Sequence, residues 1–386
     1  MSDSFDQQGA QRPTLSLRGS RQDGQAAAAQ SQVQAAKRPA HLGERERHAI
    51  AVCPALPKRA RSCCNGSSIT KDGRDRIAWT RQDKAMSSGP QIFDRSLLRA
   101  RQKRARALGP STFLLEHVAR ELDDRLSAVL RRFGIAVDLG TPTDVVRRGL
   151  VASGKIKTII AAEFGALELD GAFPRVVTDE EALPFADSSL DLVTSALALQ
   201  FVNDLPGTLI QIRRALKPDG LLLAALIGGE SLAELREAIA IAESEIEGGI
   251  SPRVAPFADV GELGALLQRA GFALPVIDNE RVMVRYETAI ALMQDLRRMG
   301  ATNVLYERRR KPLKRATLDR TAAVYAERFA DADGRLRVSF DIVWLSGWAP
   351  HESQQKPLKP GSARRRLADA LGSREISTGE KPPRSG

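Results

Sequence analysis

The sequence predicts an α/β fold in which helices cover both faces of a mainly parallel sheet, a doubly wound, Rossmann-like arrangement. Short apolar runs alternate with helical patterns across residues 135–227, which is typical of a parallel sheet. The first run, Ile135-Ala136-Val137-Asp138-Leu139-Gly140, ends in an acid and a glycine before a turn and a helical segment. A strand, a tight turn and a helix in that order form the nucleotide site of doubly wound proteins. Any buried parallel strand that ends at a turn would look the same, so this hexapeptide leaves both interpretations open.

The predicted elements follow one another regularly along the chain. Two amphipathic helices precede the first strand, at residues 93–108 and 113–132. The first five predicted strands are 135–139, 158–162, 175–177, 190–195 and 221–227, with helices at 145–152 and 205–216. Later helices are predicted at 230–246, 258–270, 288–299 and 315–330, with strands at 276–286 and 338–348. The sheet is therefore expected to have seven strands, the last two as an antiparallel pair at one edge, together with extra C-terminal helices.

The charge distribution divides the chain into a folded core and two basic ends. Residues 1–85 carry 15 Lys and Arg against 8 Asp and Glu, and residues 352–386 carry 8 against 4. We expect a disordered extension at 1–85, N-terminal helices at 86–134, the main domain at 135–351 and a flexible tail at 352–386. Met86 precedes the first ordered-looking sequence, so an alternative is that it is the true start. Peptides from residues 1–85 in the native protein would exclude that alternative.

Composition excludes several classes of function. The core, residues 86–351, carries 35 basic and 35 acidic residues, so a basic nucleic-acid-binding face is not expected. The three cysteines, Cys53, Cys63 and Cys64, lie outside the core, and they form neither a disulfide framework nor a typical zinc motif. No apolar run approaches the roughly 20 residues of a membrane-spanning helix. We therefore expect a cytoplasmic protein with no transmembrane segment.

Several strings in the core are similar to known families. The core resembles the class I S-adenosylmethionine-dependent methyltransferases in the strings Asp138-Leu139-Gly140, Asp179-Glu180-Glu181, Ser189-Leu190-Asp191-Leu192-Val193 and Leu216-Lys217-Pro218-Asp219-Gly220. Four further strings resemble the family of the mitochondrial complex I assembly factor 5 and its alphaproteobacterial relatives. They are Gln91-Ile92-Phe93-Asp94-Arg95, Phe201-Val202-Asn203-Asp204-Leu205-Pro206, Glu247-Gly248-Gly249-Ile250-Ser251-Pro252 and Gly347-Trp348-Ala349-Pro350-His351-Glu352-Ser353.

The resemblance implies S-adenosylmethionine as cofactor and gives a role to five residues. Asp138 and Gly140 would border its methionine end, and Glu163, at the end of the second strand, would hold the ribose hydroxyls. Asp179 and Glu180 would lie near the adenine. The alternative for these two acids is a solvated helix start, where carboxylates favour the helix dipole.

Two departures from the family pattern weaken the expected chemistry. The family continues Asp-Leu-Gly with cysteine and further glycines, whereas this chain has Thr141, Pro142, Thr143 and Asp144. Pro142 has no backbone N–H, and a carboxylate at Asp144 would oppose that of the cofactor, so we expect reduced cofactor affinity. The family usually has His-Trp where this chain has Gln200 and Phe201, and glutamine cannot act as a general base.

The remaining candidates for catalysis are few, and no catalytic residue is predicted. His117 is expected to have a packing or surface role, and the sequence assigns no role to His351. Neither a metal-ligand set nor a nucleophilic triad is evident in the sequence. Methyl transfer needs no covalent nucleophile, because orientation of the reactants can provide much of the rate.

Three functions are therefore consistent with the sequence. The first is methyl transfer to a protein subunit of a respiratory complex, at the inner-membrane surface in a bacterial cell. The second, implied by the family, is hydroxylation of an arginine on such a subunit. The third is a non-catalytic assembly module that has lost the cofactor. Nucleic-acid methylation fits least, because the core is neutral.

Overall fold

A mixed sheet of eight strands forms the centre of the computed structural model, which describes residues 14–16, 91–164, 173–355, 369 and 372–374. The strands are β1 (Thr14–Ser16), β2 (Phe133–Leu139), β3 (Ile156–Glu163), β4 (Arg175–Val177), β5 (Leu190–Ala196), β6 (Leu216–Gly228), β7 (Ala273–Tyr286) and β8 (Leu336–Trp348). Their spatial order is β1-β7-β8-β6-β5-β2-β3-β4. Seven of them correspond to the seven predicted strands, and β1 comes from the predicted N-terminal extension.

Eight α-helices are present in the described residues. They are α1 (Arg95–Ala107), α2 (Phe113–Ser127), α3 (Val145–Ala152), α4 (Leu205–Ala215), α5 (Ala233–Glu247), α6 (Val260–Arg269), α7 (Ala289–Arg298) and α8 (Arg315–Phe329). A single 3₁₀ turn, Leu199–Phe201, follows β5. Each helix corresponds to a predicted one, and the bounds differ by at most a few residues except for α2, predicted five residues too long.

Strand pairing explains where a ligand can enter. β2 pairs in parallel with β3 on one side and with β5 on the other. The chain runs outward from β2 through β3 to β4 and then returns to β5 on the opposite side of β2. A cleft opens at the carboxyl ends of parallel strands where the strand order reverses in this way. β8 is inserted antiparallel between β6 and β7, which confirms the predicted antiparallel pair at this edge.

The core consists of two apolar layers, one on each face of the sheet. Successive strand residues alternate between them, as Ala136 and Val137 do. One layer packs against α2, α3, α5, α7 and α8, and the other packs against α4 and α6. Because both faces are buried, the central strands are apolar at nearly every position, which is why they read as continuous runs.

The first helix is fixed at the carboxyl edge of the sheet. The Asp94 carboxylate caps α1 by accepting a hydrogen bond from the Leu97 N–H at 2.9 Å. Phe93 and Leu98 pack with Phe201, Val304 and Leu305 in a small separate cluster. This packing brings the basic side of α1 against the strand ends.

The ends of the chain remain largely outside the described residues. Thr14–Ser16, which lies within the predicted disordered extension, pairs antiparallel with β7. The other boundary predictions, including Met86 as the start and most of the 352–386 tail, stay predictions. Among the described residues, no helix combines the length and apolar character needed to cross a bilayer.

Candidate functional site

The five predicted cofactor residues lie together at the carboxyl edge of the sheet. Asp138 and Gly140 end β2, Glu163 ends β3, and Asp179 and Glu180 follow β4. The Gly140 N–H donates to the Ala162 carbonyl at 2.8 Å, which holds the two strand ends side by side. The structure therefore brings the predicted residues into one cluster.

Asp138 is fully buried and already bound by neighbouring side chains. Its Oδ1 accepts from the Thr141 hydroxyl at 2.5 Å, and its Oδ2 accepts from Arg147 Nη1 at 2.8 Å. Burial raises the pKa of Asp138 from 3.8 to about 6, because desolvation outweighs the attraction of Arg147. The carboxylate thus depends on Arg147 for its charge.

Glu163 is also buried, but among the residues that the structure describes neither of its carboxylate oxygens has a hydrogen-bond partner. Arg147 Nη2 lies 3.5 Å from Glu163 Oε1, which is an ion pair without a hydrogen bond. Arg147 is 2% exposed. Its guanidinium lies between the carboxylates of Asp138 and Glu163, which were both predicted to bind the cofactor. The buried carboxylate of Glu163 therefore retains free acceptor capacity.

Gly140 adopts a backbone conformation that a side chain would strain. Its φ is +70°, and a Cβ here would lie 2.7 Å from Glu180 Oε1. The Glu180 carboxylate therefore packs directly over the glycine. Glycine permits another group to approach the backbone closely here, and the Glu180 side chain occupies that position.

The acids after β4 are bound by α1. Arg95 donates to Asp179 at 2.8 Å and also to Glu180, and Arg99 donates to the other oxygen of Asp179. Burial would raise the pKa of Asp179, but Arg95 and Arg99 together with a backbone N–H hold it below 3.8. The Arg99 guanidinium also stacks on the Phe164 ring, 3.1 Å from its centroid. These acids are thus not a solvated helix start.

Two of the strings that carried the family resemblance meet in this region. The Asn203 side chain accepts from the backbone N–H groups of Ile92 and Phe93 at 2.9 and 2.7 Å. The Asn203 N–H donates to Glu181 Oε1 at 2.7 Å. Asn203 therefore joins the start of α1 to the acidic segment after β4.

The altered loop after Gly140 is arranged differently from the expectation. The Asp144 carboxylate is half-exposed and lies 3.2 Å from Arg148 on the outer side of α3. Pro142 lines a neighbouring cavity. The group that engages Asp138 is Arg147, one turn further along the chain. The effect of Pro142 and Asp144 on cofactor affinity stays a prediction.

An apolar cavity of about 200 Å³ adjoins this cluster. Its lining includes Pro142 and Thr143 of the loop, Gln200 and Phe201 of the 3₁₀ turn, and side chains of α1, α2, α5 and α7. The Gln200 amide donates to the Leu197 carbonyl at 2.8 Å, and its Oε1 is buried without a partner. The cavity therefore lies beside the loop that follows β2 and the 3₁₀ turn that follows β5.

The comparisons with known proteins agree with this architecture. Residues 137–224 match a family model described as a methyltransferase domain. The chain is 37% identical over 290 residues to the zebrafish (Danio rerio) mitochondrial arginine-hydroxylase NDUFAF5, covering 73% of this chain and 90% of that protein. It is 40% identical over 285 residues to the human protein of the same name, covering 70% and 81%.

This chain belongs to the NDUFAF5 family. Its fold is that of the class I S-adenosylmethionine-dependent methyltransferases, as the family match and the sheet order both show. A malonyl-[acyl-carrier protein] O-methyltransferase of Xylella fastidiosa is 40% identical over 172 residues, and the chain covers 56% of its length. Residues 137–224, which match the methyltransferase-domain model, include Asp138, Glu163, Asp179 and Glu180.

Sequence reasoning did not single out the basic residues of this NDUFAF5-family site. Arg95 and Arg99 belong to a helix that looked basic throughout, and Arg147 was one of two adjacent arginines in a short helix. Arg148 is 65% exposed and Arg147 is 2% exposed, and only the structure shows this difference. Spacing alone gives no signal that separates them, since Arg147 and Arg148 are adjacent in the same short helix.

The two core histidines lie away from the acidic cluster. His117 is buried in α2, and its Nε2 lies 2.8 Å from Glu280 Oε1 on β7, which supports the expected packing role. His351 is exposed, and its Nδ1 lies 2.6 Å from the Ser353 hydroxyl. In the part of the chain that the structure describes, no group of three or more potential metal ligands comes together.

Proposed function

We propose that this NDUFAF5-family protein is an S-adenosylmethionine-dependent methyltransferase that acts on a protein subunit during assembly of respiratory complex I. The methyltransferase fold supports the cofactor, and family membership supports the context of respiratory-complex assembly. Within this proposal the protein works in the bacterial cytoplasm, at the surface of the inner membrane. No nucleic-acid substrate is included, because the core carries equal numbers of acidic and basic residues.

The observation that carries the proposal is the free carboxylate of Glu163. A buried carboxylate without donors is costly, and this one lies at the end of the second parallel strand of a nucleotide-binding fold. Two vicinal hydroxyls, such as those of a ribose, would supply the two donors that the carboxylate lacks. The residues thus fit the ribose of the cofactor.

The other residues fit the cofactor less completely. Asp138 and Gly140 would border the methionine end, and Asp179 and Glu180 the adenine, but Arg147 and Arg95 already occupy part of their acceptor capacity. When bound, the cofactor supplies an activated methyl group on a sulfonium sulfur. The chain's own contribution would be to orient the methyl donor and the substrate and to exclude water from between them.

Calorimetric titration of the full chain with S-adenosylmethionine and with S-adenosylhomocysteine tests this proposal. We expect saturable binding that Glu163→Gln weakens by about tenfold or more, because an amide replaces one carboxylate acceptor with a donor. Glu262→Gln, an exposed position on α6, is the matched control and should bind normally. Absence of heat and of a thermal shift at millimolar ligand would contradict cofactor binding.

A second candidate is the activity named for the relatives, arginine hydroxylation. The observation that favours it is that the acidic cluster already binds guanidinium groups, those of Arg95, Arg99 and Arg147. A partner arginine could compete for the same carboxylates. Mass spectrometry of a partner subunit incubated with the protein separates the two candidates, because a methyl group and an oxygen atom add different masses.

A third candidate is an assembly module without a cofactor. Pro142 removes a backbone donor from the loop, and Arg147 fills the space between Asp138 and Glu163. If titration detects no adenosyl ligand while a partner subunit still binds, this candidate replaces the enzyme. A Pro142→Gly variant, which restores the N–H, should then recover binding if the loop is the cause.

A further inference from the structure

The charges around the apolar cavity are all of one sign. Three arginines, Arg106, Arg253 and Arg298, are among the described residues that line it, and none of those residues is Asp or Glu. The acidic cluster of Asp138, Glu163, Asp179 and Glu180 lies outside this lining. The cavity therefore favours a negatively charged ligand group, whereas the acidic cluster favours a positively charged one.

Two of the three arginines donate hydrogen bonds to other groups of the protein. Arg253 Nε donates to Glu243 at 2.7 Å, and the Glu243 side chain is fully buried. Arg298 Nε donates to the Gly109 carbonyl at 2.8 Å. These contacts hold the 251–253 segment and the loop before α2 in place, so neither guanidinium is fully available to a ligand.

Arg106 differs from the other two because its guanidinium has no hydrogen-bond acceptor in the described part of the chain. Its Nε and Nη1 are buried without partners. Glu163 acts on Arg106 electrostatically but accepts no hydrogen bond from it, and Glu163 does not line the cavity. An unpartnered guanidinium at the wall of an apolar cavity is a ready site for an anion.

The rest of the lining would suit an apolar body. Beside Arg106 lie apolar side chains from four elements, namely Leu114, Leu115, Leu232, Ile239, Met293 and Phe340. Leu232 and Ile239 are themselves buried in the core, so this wall is formed by the fold and is not a surface groove. A ligand that fills it buries apolar area while one charged end remains at Arg106.

We propose that this cavity binds an apolar monocarboxylate, with the carboxylate on Arg106 and the hydrocarbon among the side chains of α2, α5 and α7. An arginine side chain of a partner would instead face three cations here, so a guanidinium is not the occupant. The inference concerns the cavity alone and does not require an adenosyl ligand.

Calorimetric titration of the full chain with octanoate, octanol and octylamine, without any adenosyl ligand, tests the inference. These probes share one hydrocarbon chain and differ in the charge of the head group. We expect octanoate to bind about tenfold or more tightly than octanol, because a hydrogen-bonded ion pair adds to the same apolar contact. Octylamine should bind most weakly of the three.

Arg106→Leu removes the guanidinium and keeps an apolar side chain. In this variant octanoate should lose its advantage over octanol, whereas Arg106→Lys should retain part of it. Arg104→Leu, an exposed position on the same helix, is the matched control and should keep the full preference. Equal binding of octanoate and octanol by the natural protein would overturn the proposal and needs no variant to fold. A preference that survives in a folded Arg106→Leu protein would overturn it as well.

Discussion

At the scale of single residues, the buried pair of Asp138 and Arg147 has the largest consequences for stability. The two side chains are 0% and 2% exposed and are joined by a 2.8 Å hydrogen bond. We expect Arg147→Met to lower the free energy of unfolding by about 3 to 5 kcal/mol, because it leaves Asp138 buried without its counter-ion. Urea denaturation measures this change.

A double variant and a neighbouring control sharpen that prediction. Asp138→Asn combined with Arg147→Met should cost less than the sum of the two single changes, since no unpaired charge remains. Arg148→Met, which removes an exposed pair with Asp144, should cost no more than about 1 kcal/mol. Strictly additive single changes would show that Asp138 and Arg147 do not interact.

The raised pKa of Asp138 predicts a definite pH dependence. The folded-state pKa of about 6 exceeds the ordinary value of 3.8, so between these values the folded protein holds a proton that the unfolded chain has lost. The free energy of unfolding contributed by this carboxyl should therefore fall by about 3 kcal/mol as pH rises from about 4 to above 6. Asp138→Asn cannot titrate, so the difference between natural protein and variant should change by that amount across the window. A difference that is constant with pH would contradict the prediction.

At the scale of elements, α1 is expected to depend on its contacts with the acidic segment after β4. Arg95 donates to Asp179, to Glu180 and to the Phe201 carbonyl at 3.1 Å, all of which lie far away in the sequence. Arg95→Gln should weaken the docking of α1 by about 1.5 to 3 kcal/mol and speed amide hydrogen exchange of the helix about tenfold or more. Arg104→Gln, on the exposed side of the same helix, is the control. Unchanged exchange in α1 would mean that the apolar cluster around Phe93 holds the helix alone.

The strands and helices also show how much of the fold the sequence predicts. Alternating apolar runs predicted seven strands and all eight helices, because burial on both sheet faces gives nearly continuous apolar runs that differ from amphipathic helices. The five residues predicted at the cofactor site did come together, because carboxyl ends of parallel strands share one edge. Their partners could not be predicted, since Arg95 reaches Asp179 across 84 positions and only tertiary packing brings them together.

Asp144 illustrates the same limit within a single turn of helix. Its position in the motif suggested a carboxylate opposed to the cofactor, but the start of α3 directs it outward to Arg148. Arg147, three positions after Asp144, turns inward instead. Local spacing could not decide which of these side chains would face Asp138, because the loop conformation set by Thr141 and Pro142 fixes the start of the helix.

At the scale of the whole molecule, acidic and basic residues balance in the core, and the two ends of the sequence carry the surplus basic charge. The ion pairs around the site join residues of the core to one another, and the surplus basic charge lies in residues 1–85 and 352–386. The one described contact of the N-terminal extension with the core is backbone pairing at the sheet edge, where Thr14, Leu15 and Ser16 lie opposite Arg285, Val284 and Met283. Loss of β1 is therefore expected to affect the edge of the sheet at β7, whereas the site residues lie at the carboxyl ends of β2, β3 and β4.

A form that begins at Met86 tests whether residues 1–85 affect only the edge of the sheet. It lacks β1, so the β7 amides among residues 283–285 that face β1 should exchange faster with solvent than in the full chain, while β7 amides paired with β8 should be unchanged. Three paired residues contribute at most about 3 kcal/mol, so the shorter form should still fold and should respond equally to adenosyl ligands and to octanoate. Loss of either response would show that residues 1–85 help to form the site. It would also argue against Met86 as the functional start of the protein.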